Sequence, residues 1–77
     1  MKRNKLMDEL NKRFDMDAVD ATLFYGYGSP GIWLRNADFD SDDIAWERKT
    51  ESLEFIERND WHIEPYDSET MIAYENS

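Results

Sequence analysis

Apolar positions near the start of the chain recur at the spacing of an amphipathic helix. Residues 4–14 contain four large hydrophobic side chains: Leu6, Met7, Leu10 and Phe14. Side chains at these intervals share one face of a helix. Asn4 stands ahead of them, and asparagine is a favourable residue at a helix N-cap. The pattern predicts a helix over residues 4–14, followed by a polar connection at residues 15–20.

The next segment has the pattern of a β-hairpin. Residues 21–27 and 31–35 are rich in β-branched and aromatic side chains, and residues 28–30 between them read Gly-Ser-Pro, which is typical of a turn. Both faces of this hairpin are apolar, because Phe24 and Trp33 alternate with other hydrophobic side chains. Helices can cover one face. The other face, with Phe24 and Trp33, is therefore a candidate contact surface for a second subunit or a partner.

A polar loop at residues 36–43 leads into a second predicted helix that runs to about Asn59. Ser41 is the expected N-cap, and the aspartates after it suit the positive end of a helix dipole. The apolar residues between Ile44 and Ile56 cover one broad arc of this helix, and carboxylates fill the remaining arc.

The last segment predicts two more strands, at residues 61–64 and 70–74, with a turn at residues 65–69. The predicted order of elements is therefore α-β-β-α-β-β. These elements favour an α+β fold in which two helices pack on one face of a small antiparallel sheet. A chain of 77 residues is expected to form a single compact domain, residues 1–77.

Charge and composition narrow the classes of function. The formal net charge is −9 and there is no cysteine, which excludes disulfides and thiolate chemistry. Residues 1–13 have five basic side chains against two acidic ones, whereas residues 14–77 have sixteen carboxylates against four basic side chains. Such a field repels nucleic acid and anionic lipid and attracts basic proteins. No apolar run is long enough for a signal peptide or a membrane span, so we expect a cytoplasmic protein.

Carboxylates are concentrated between residues 38 and 57. On one continuous helix, Glu47, Glu51 and Glu54 would share a face, where like charges repel by about a few tenths of a kcal/mol per pair. With the preceding loop they form a ridge whose spacing is loosely similar to that of backbone phosphates. A solvated face of an acidic protein is the alternative interpretation. We call this set the acidic array: Asp38, Asp40, Asp42, Asp43, Glu47, Glu51, Glu54 and Glu57.

Three other patterns are weak candidates for chemistry. Alternate aspartates in residues 38–43 suggest calcium, but Asp43 and Lys49 stand where an EF-hand loop starting at Asp38 needs glycine and glutamate. His62 is the only histidine, and no nucleophile motif surrounds it. The three glycines of residues 26–31 match neither phosphate-binding fingerprint. We therefore expect no enzyme activity, no metal and no cofactor.

The acidic array resembles the small acidic phage-type inhibitors, including anti-CRISPR proteins, that mimic nucleic acid. The resemblance covers about 20 residues and is one of class, without a shared motif. It implies a non-enzymatic inhibitor that occupies the nucleic-acid-binding surface of a basic effector protein, with Trp46 or Tyr66 as anchoring contacts. The alternative function is a structural or assembly module that dimerises or docks through Phe24 and Trp33.

Overall fold

The computed structural model describes residues 1–25 and 30–76, apart from the side chain of Tyr25. Within these residues the chain is an α+β fold with four helical segments and one four-stranded antiparallel sheet. The elements in chain order are α1 (Arg3–Phe14), β1 (Ala18–Asp20), α2 (Thr22–Tyr25), β2 (Ile32–Leu34), α3 (Ser41–Ala45), α4 (Glu51–Arg58), β3 (Trp61–Pro65) and β4 (Met71–Glu75).

The sheet has the strand order β1-β2-β4-β3. Trp33 of β2 is paired with Val19 of β1 and with Ile72 of β4. Paired residues have side chains on the same face, and neighbours along a strand alternate between faces. We call the face with Trp33 the outer face. The opposite, inner face carries buried side chains: Ala18, Ile32, Leu34, Ile63, Met71 and Ala73.

The two longest helices contribute buried hydrophobic side chains to the core. Leu6 and Leu10 come from α1, and Leu53 and Ile56 come from α4. They join one core cluster with the inner face, and Met16, Phe39 and Trp61 complete it. Full burial of such side chains contributes about 1.5–3 kcal/mol each. This cluster contains the inner-face residues, and Ile72 on the outer face is fully buried as well.

The predicted hairpin at residues 21–35 is wrong in its first strand. Residues 22–25 form the short helix α2, and the strand paired with β2 is β1, within the predicted polar connection. The Asp20 side chain accepts a hydrogen bond from the Thr22 backbone N–H at 2.9 Å, which turns the chain out of the strand. Residues 26–29, where most of the predicted turn falls, lie outside the described residues.

The strand β1 is held by a side chain of α1. Asn11 Oδ1 accepts from the Ala18 N–H at 2.6 Å, and Asn11 Nδ2 donates to the Ala18 carbonyl at 3.1 Å. These bonds satisfy one residue of an edge strand in the way that a neighbouring strand does. β1 is only three residues long, so it gave no clear periodic signal in the sequence.

Gly31, immediately before β2, is required by a close approach to β4. A Cβ atom at this position would lie 2.8 Å from the Ala73 carbonyl oxygen and 2.9 Å from Ile72 Cγ2. These distances are shorter than van der Waals contact, so a side chain here would push the two strands apart.

The predicted helix over residues 41–59 is wrong because it is interrupted. α3 ends at Ala45, Glu47 has a left-handed φ of 56°, and α4 begins at Glu51. The Thr50 side chain accepts from the Leu53 N–H at 3.1 Å and caps α4. A side-chain cap satisfies backbone groups that a continuous helix would otherwise pair, so it starts a new helix here.

Helix α3 begins one residue earlier than expected from the sequence. Its N-cap is Asp40, not Ser41, and Asp40 forms a capping box with Asp43. Helix α1 likewise has Lys2 at its N-cap, where the sequence favoured Asn4. In both helices a position close to the expected cap is used, because several polar residues stand together there.

The two strands predicted at the end of the chain are confirmed as β3 and β4. Asp67 shapes the turn between them, accepting from the N–H groups of Glu69 and Thr70 at 2.9 and 2.8 Å. Among residues 1–25 and 30–76, no helix is sufficiently long and apolar to cross a membrane.

Candidate acidic interface

The structure distributes the acidic array over two helices and the segments beside them. Asp42 and Asp43 lie on α3, and the last three glutamates of the array lie on α4. Glu47 lies in the break between the helices. The predicted continuous face of Glu47, Glu51 and Glu54 on one helix is therefore wrong, although Glu51 and Glu54 remain neighbours one turn apart.

Three members of the array have structural roles. Asp38 accepts hydrogen bonds from the hydroxyl groups of Ser52 and Thr50, and Ser52 is completely buried. Asp40 and Asp43 accept from each other's backbone N–H at 3.0 Å in the capping box of α3. These hydrogen bonds orient the loop before α3 and the start of α4, the two segments on either side of the remaining carboxylates.

Two basic side chains within the segment neutralise two of its carboxylates. Arg48 Nε lies 3.1 Å from Asp43 Oδ1, and Lys49 Nζ lies 2.5 Å from Glu57 Oε1. The N–H of Asp40 and then the guanidinium of Arg48 lower the pKa of the Asp43 carboxyl. Exposed pairs of this kind contribute about 0–1 kcal/mol to stability. Because of these pairs, Arg48 and Lys49 already have carboxylate partners.

The salt bridge with Glu57 also changes the pKa of Lys49. The hydrogen bond to Glu57 raises the pKa of the Lys49 ammonium, and the charges of Glu57, Glu47 and Glu54 raise it further. Arg58 lies four residues after Glu54 on α4, a spacing at which opposite charges can pair on a helix. Among the described residues no salt bridge joins those two side chains.

Six carboxylates of the array are exposed and take part in no salt bridge within the described chain, and two of them, Asp38 and Asp40, accept the hydrogen bonds described above. The other four are Asp42, Glu47, Glu51 and Glu54. Trp46 lies between them along the chain and is 74% exposed. The helical periodicity placed Trp46 in an apolar arc, but α3 ends at the preceding residue and leaves the ring in solvent. We call these five residues the open acidic face. It can attract Lys and Arg side chains, and the indole can pack on them.

The second predicted contact surface, Phe24 and Trp33, is an aromatic cluster on the outer face. The two rings lie 5.0 Å apart between centroids, and Tyr66 contacts Phe24 edge to face at 4.9 Å. Phe24 reaches Trp33 from α2, where the sequence predicted a strand. Sequence reasoning did not place Tyr66 here, because only the sheet topology brings the β3–β4 turn beside α2. Leu23, which precedes Phe24 in the chain, is 68% exposed.

The remaining candidates for a binding site are a metal site and a surface cleft. In the described part of the chain, no group of three or more His, Asp or Glu side chains could hold a metal ion. An open cleft of about 500 Å³ lies at the start of α1, with these lining residues: Lys2, Arg3, Asn4, Pro30, Trp61 and Glu75. It mixes both signs of charge, and Arg3 is already paired with Asp20 at 3.3 Å.

The open acidic face is thus a set of exposed carboxylates, close in sequence, that form no salt bridge within the described chain. We choose this face as the candidate site because of its exposure and charge. The likeness to acidic inhibitors stays a prediction from the sequence. No model of a protein family, no curated protein and no solved structure matches the chain.

Proposed function

We propose that this protein is a non-catalytic acidic binding protein and that its open acidic face engages a basic protein partner. One observation carries the proposal. Among residues 1–25 and 30–76, Asp42, Glu47, Glu51 and Glu54 are exposed without salt bridges, while the two cations between them, Arg48 and Lys49, are paired with other carboxylates.

Capping gives this surface a defined shape. Asp40 begins α3 and Thr50 begins α4 through side-chain hydrogen bonds, and the buried Ser52 ties α4 to the preceding loop through Asp38. Charges on elements fixed in this way need little reordering when a partner binds, which favours affinity. They also accelerate association with an oppositely charged surface.

The partner class follows from the chemistry of the surface. Proteins that bind nucleic acid present Lys and Arg side chains to phosphates, and the same side chains accept carboxylates as partners. We infer that the open acidic face occupies such a site on a basic effector and competes with its nucleic acid. Trp46 supplies an aromatic contact of the kind that dominates many interfaces.

Charge reversal on the face tests this function. The triple substitution Glu47→Lys, Glu51→Lys and Glu54→Lys should abolish capture of the partner from cells that produce the protein, because it replaces attraction by repulsion. A matched control reverses three exposed carboxylates elsewhere, Asp8→Lys, Glu69→Lys and Glu75→Lys. The control has the same net charge and should retain capture.

The readout includes competition by nucleic acid. Duplex DNA or structured RNA added to the captured complex should release the partner from the wild-type protein. Circular dichroism of both triple variants establishes that they are folded. Equal loss of capture in the two variants would show that only net charge matters and would refute a localised site, and a partner unaffected by nucleic acid would refute mimicry.

The aromatic cluster supports a second candidate function, assembly through the outer face. Phe24 contacts both Trp33 and Tyr66, and Leu23, its neighbour in the chain, is largely exposed. Under this alternative, sedimentation should show a tight dimer that persists at high salt. The exposed substitution Leu23→Ser should weaken that dimer, whereas Glu51→Lys should not.

A further inference from the structure

The imidazole of His62 lies between two oxygen atoms on the outer face of the sheet. Nε2 is 2.7 Å from Oε2 of Glu64, two residues along the same strand, and Nδ1 is 2.6 Å from Oδ1 of Asn76. Asn76 directly follows β4, so the contact joins the end of that strand to β3. His62 is also paired with Tyr74 of β4 in the ladder, and their rings lie 6.1 Å apart.

A neutral imidazole carries one N–H, so it cannot donate to both oxygens. The imidazolium carries two and can. We propose that protonated His62 is a clamp, formed with Glu64 and Asn76, that holds the end of β4 against β3. Loss of the proton leaves a single donor, and the charged Glu64 is the stronger acceptor. The bond to Asn76 is therefore the one released as pH rises.

The surroundings of the ring favour the protonated form. The hydrogen bond to Glu64, followed by that to Asn76, raises the pKa of the His62 imidazole above its ordinary value. The groups that face the ring are Glu64 from its own strand and Tyr74 and Asn76 from the adjacent strand segment. Because the pKa is raised, the clamp is complete below the ordinary histidine pKa and is lost as pH rises through the raised value.

The clamp acts where the β3–β4 ladder ends. The backbone N–H of Asn76 donates to the Asp60 carbonyl at 2.8 Å, beyond the last paired residues of the two strands. A terminal hydrogen bond opens more readily than those inside the ladder. Releasing the Asn76 side chain should therefore loosen this backbone bond first. This device is independent of the open acidic face and of the proposed binding function.

Nuclear magnetic resonance of the full chain tests the clamp through two quantities. The first is the pKa of His62 from its ring nitrogen shifts, which should exceed that of histidine in the urea-unfolded chain and should fall in Glu64→Gln and in Asn76→Ala. The matched control Glu69→Gln removes an exposed carboxylate of the β3–β4 turn and should leave it unchanged.

The second quantity is the hydrogen-exchange protection factor of the Asn76 amide, corrected for the intrinsic pH dependence of exchange. It should fall about threefold as pH rises through the measured pKa, the size expected from an exposed charged contact. In His62→Gln it should not change with pH. A neutral ring whose Nδ1 accepts from the Asn76 amide at low pH would overturn the proposal, as would Asn76 protection that is independent of His62 ionisation.

Discussion

At the scale of single residues, several polar side chains define this structure because each has specific backbone partners. Asn11 bonds both the N–H and the carbonyl of Ala18, and Asp67 bonds two successive N–H groups of the β3–β4 turn. A strand of three residues has few ladder bonds of its own, so the contacts of Asn11 form a large share of those that hold β1.

The role of Asn11 can be measured by truncation. We expect Asn11→Ala to lower the free energy of unfolding by about 1–2 kcal/mol, since it removes two hydrogen bonds to a partly buried strand. Urea denaturation followed by circular dichroism measures the change. The matched control is Asn4→Ala on the exposed surface of the same helix. A cost of Asn11→Ala no greater than that of the control would mean that β1 does not depend on this side chain.

At the scale of elements, the break between α3 and α4 decides what the acidic array can present. Glu47 leaves the helical path with its φ of 56°, and Thr50 starts a new helix four residues after Trp46. The break exposes Trp46 and separates the charges into two helices. It also lets Arg48 reach back to Asp43, which a straight helix at this spacing would not favour.

The capping box of α3 leads to a prediction about pH. The pKa of the Asp43 carboxyl is lowered in the folded state, first by the Asp40 N–H and then by Arg48. Its contribution to stability is therefore present above the pKa of an unfolded aspartate, about 4, and is lost as pH falls through the lower folded value. Asp43→Asn should lower the urea midpoint at pH 7 and have a smaller effect at pH 2.5.

Asp42→Asn is the matched control, because Asp42 lies on the same helix without a salt bridge in the described chain. It removes the same charge but neither contact of Asp43, so its midpoint should change little at pH 7. Equal effects of the two substitutions would show that the charge near the helix start, rather than the capping box, stabilises α3.

At the scale of the whole molecule, a net charge of −9 and an open acidic face act together on a partner. Long-range attraction steers the encounter, whereas close contacts such as that of Trp46 govern dissociation. Salt should therefore affect mainly the association rate constant, and substitution of Trp46 mainly the dissociation rate constant.

Binding kinetics with the captured partner measure this separation. Raising NaCl from about 0.05 to about 0.5 M shortens the screening length and should slow association by about tenfold or more. Trp46→Ala leaves the charge unchanged and should chiefly accelerate dissociation. An association rate that is insensitive to salt would contradict steering by the acidic face. Leu23→Ala, which also truncates an exposed apolar side chain, is the matched control.

The sequence by itself determined the elements whose residues show a clear helical period or a run of β-branched and aromatic side chains. The periodic apolar residues of α1, the β-rich segments of β3 and β4, and the strand at Ile32 to Leu34 lie where the pattern predicted them. The exposed charge between Asp38 and Glu57 was also evident, because charged side chains are rarely buried without partners. The class of fold, α+β, followed from these elements.

Only the tertiary structure decided which residues meet. β1 forms because Asn11 and β2 supply its hydrogen bonds, and the array divides because Thr50, Ser52 and Asp38 contact one another across the chain. The contact of Asp38 with Ser52 and the pairing of β1 with β2 join positions far apart in sequence, and no local period encodes them. Periodicity reports how one element can be buried, whereas the ends of helices and the pairing of cations with carboxylates depend on neighbours that folding brings together.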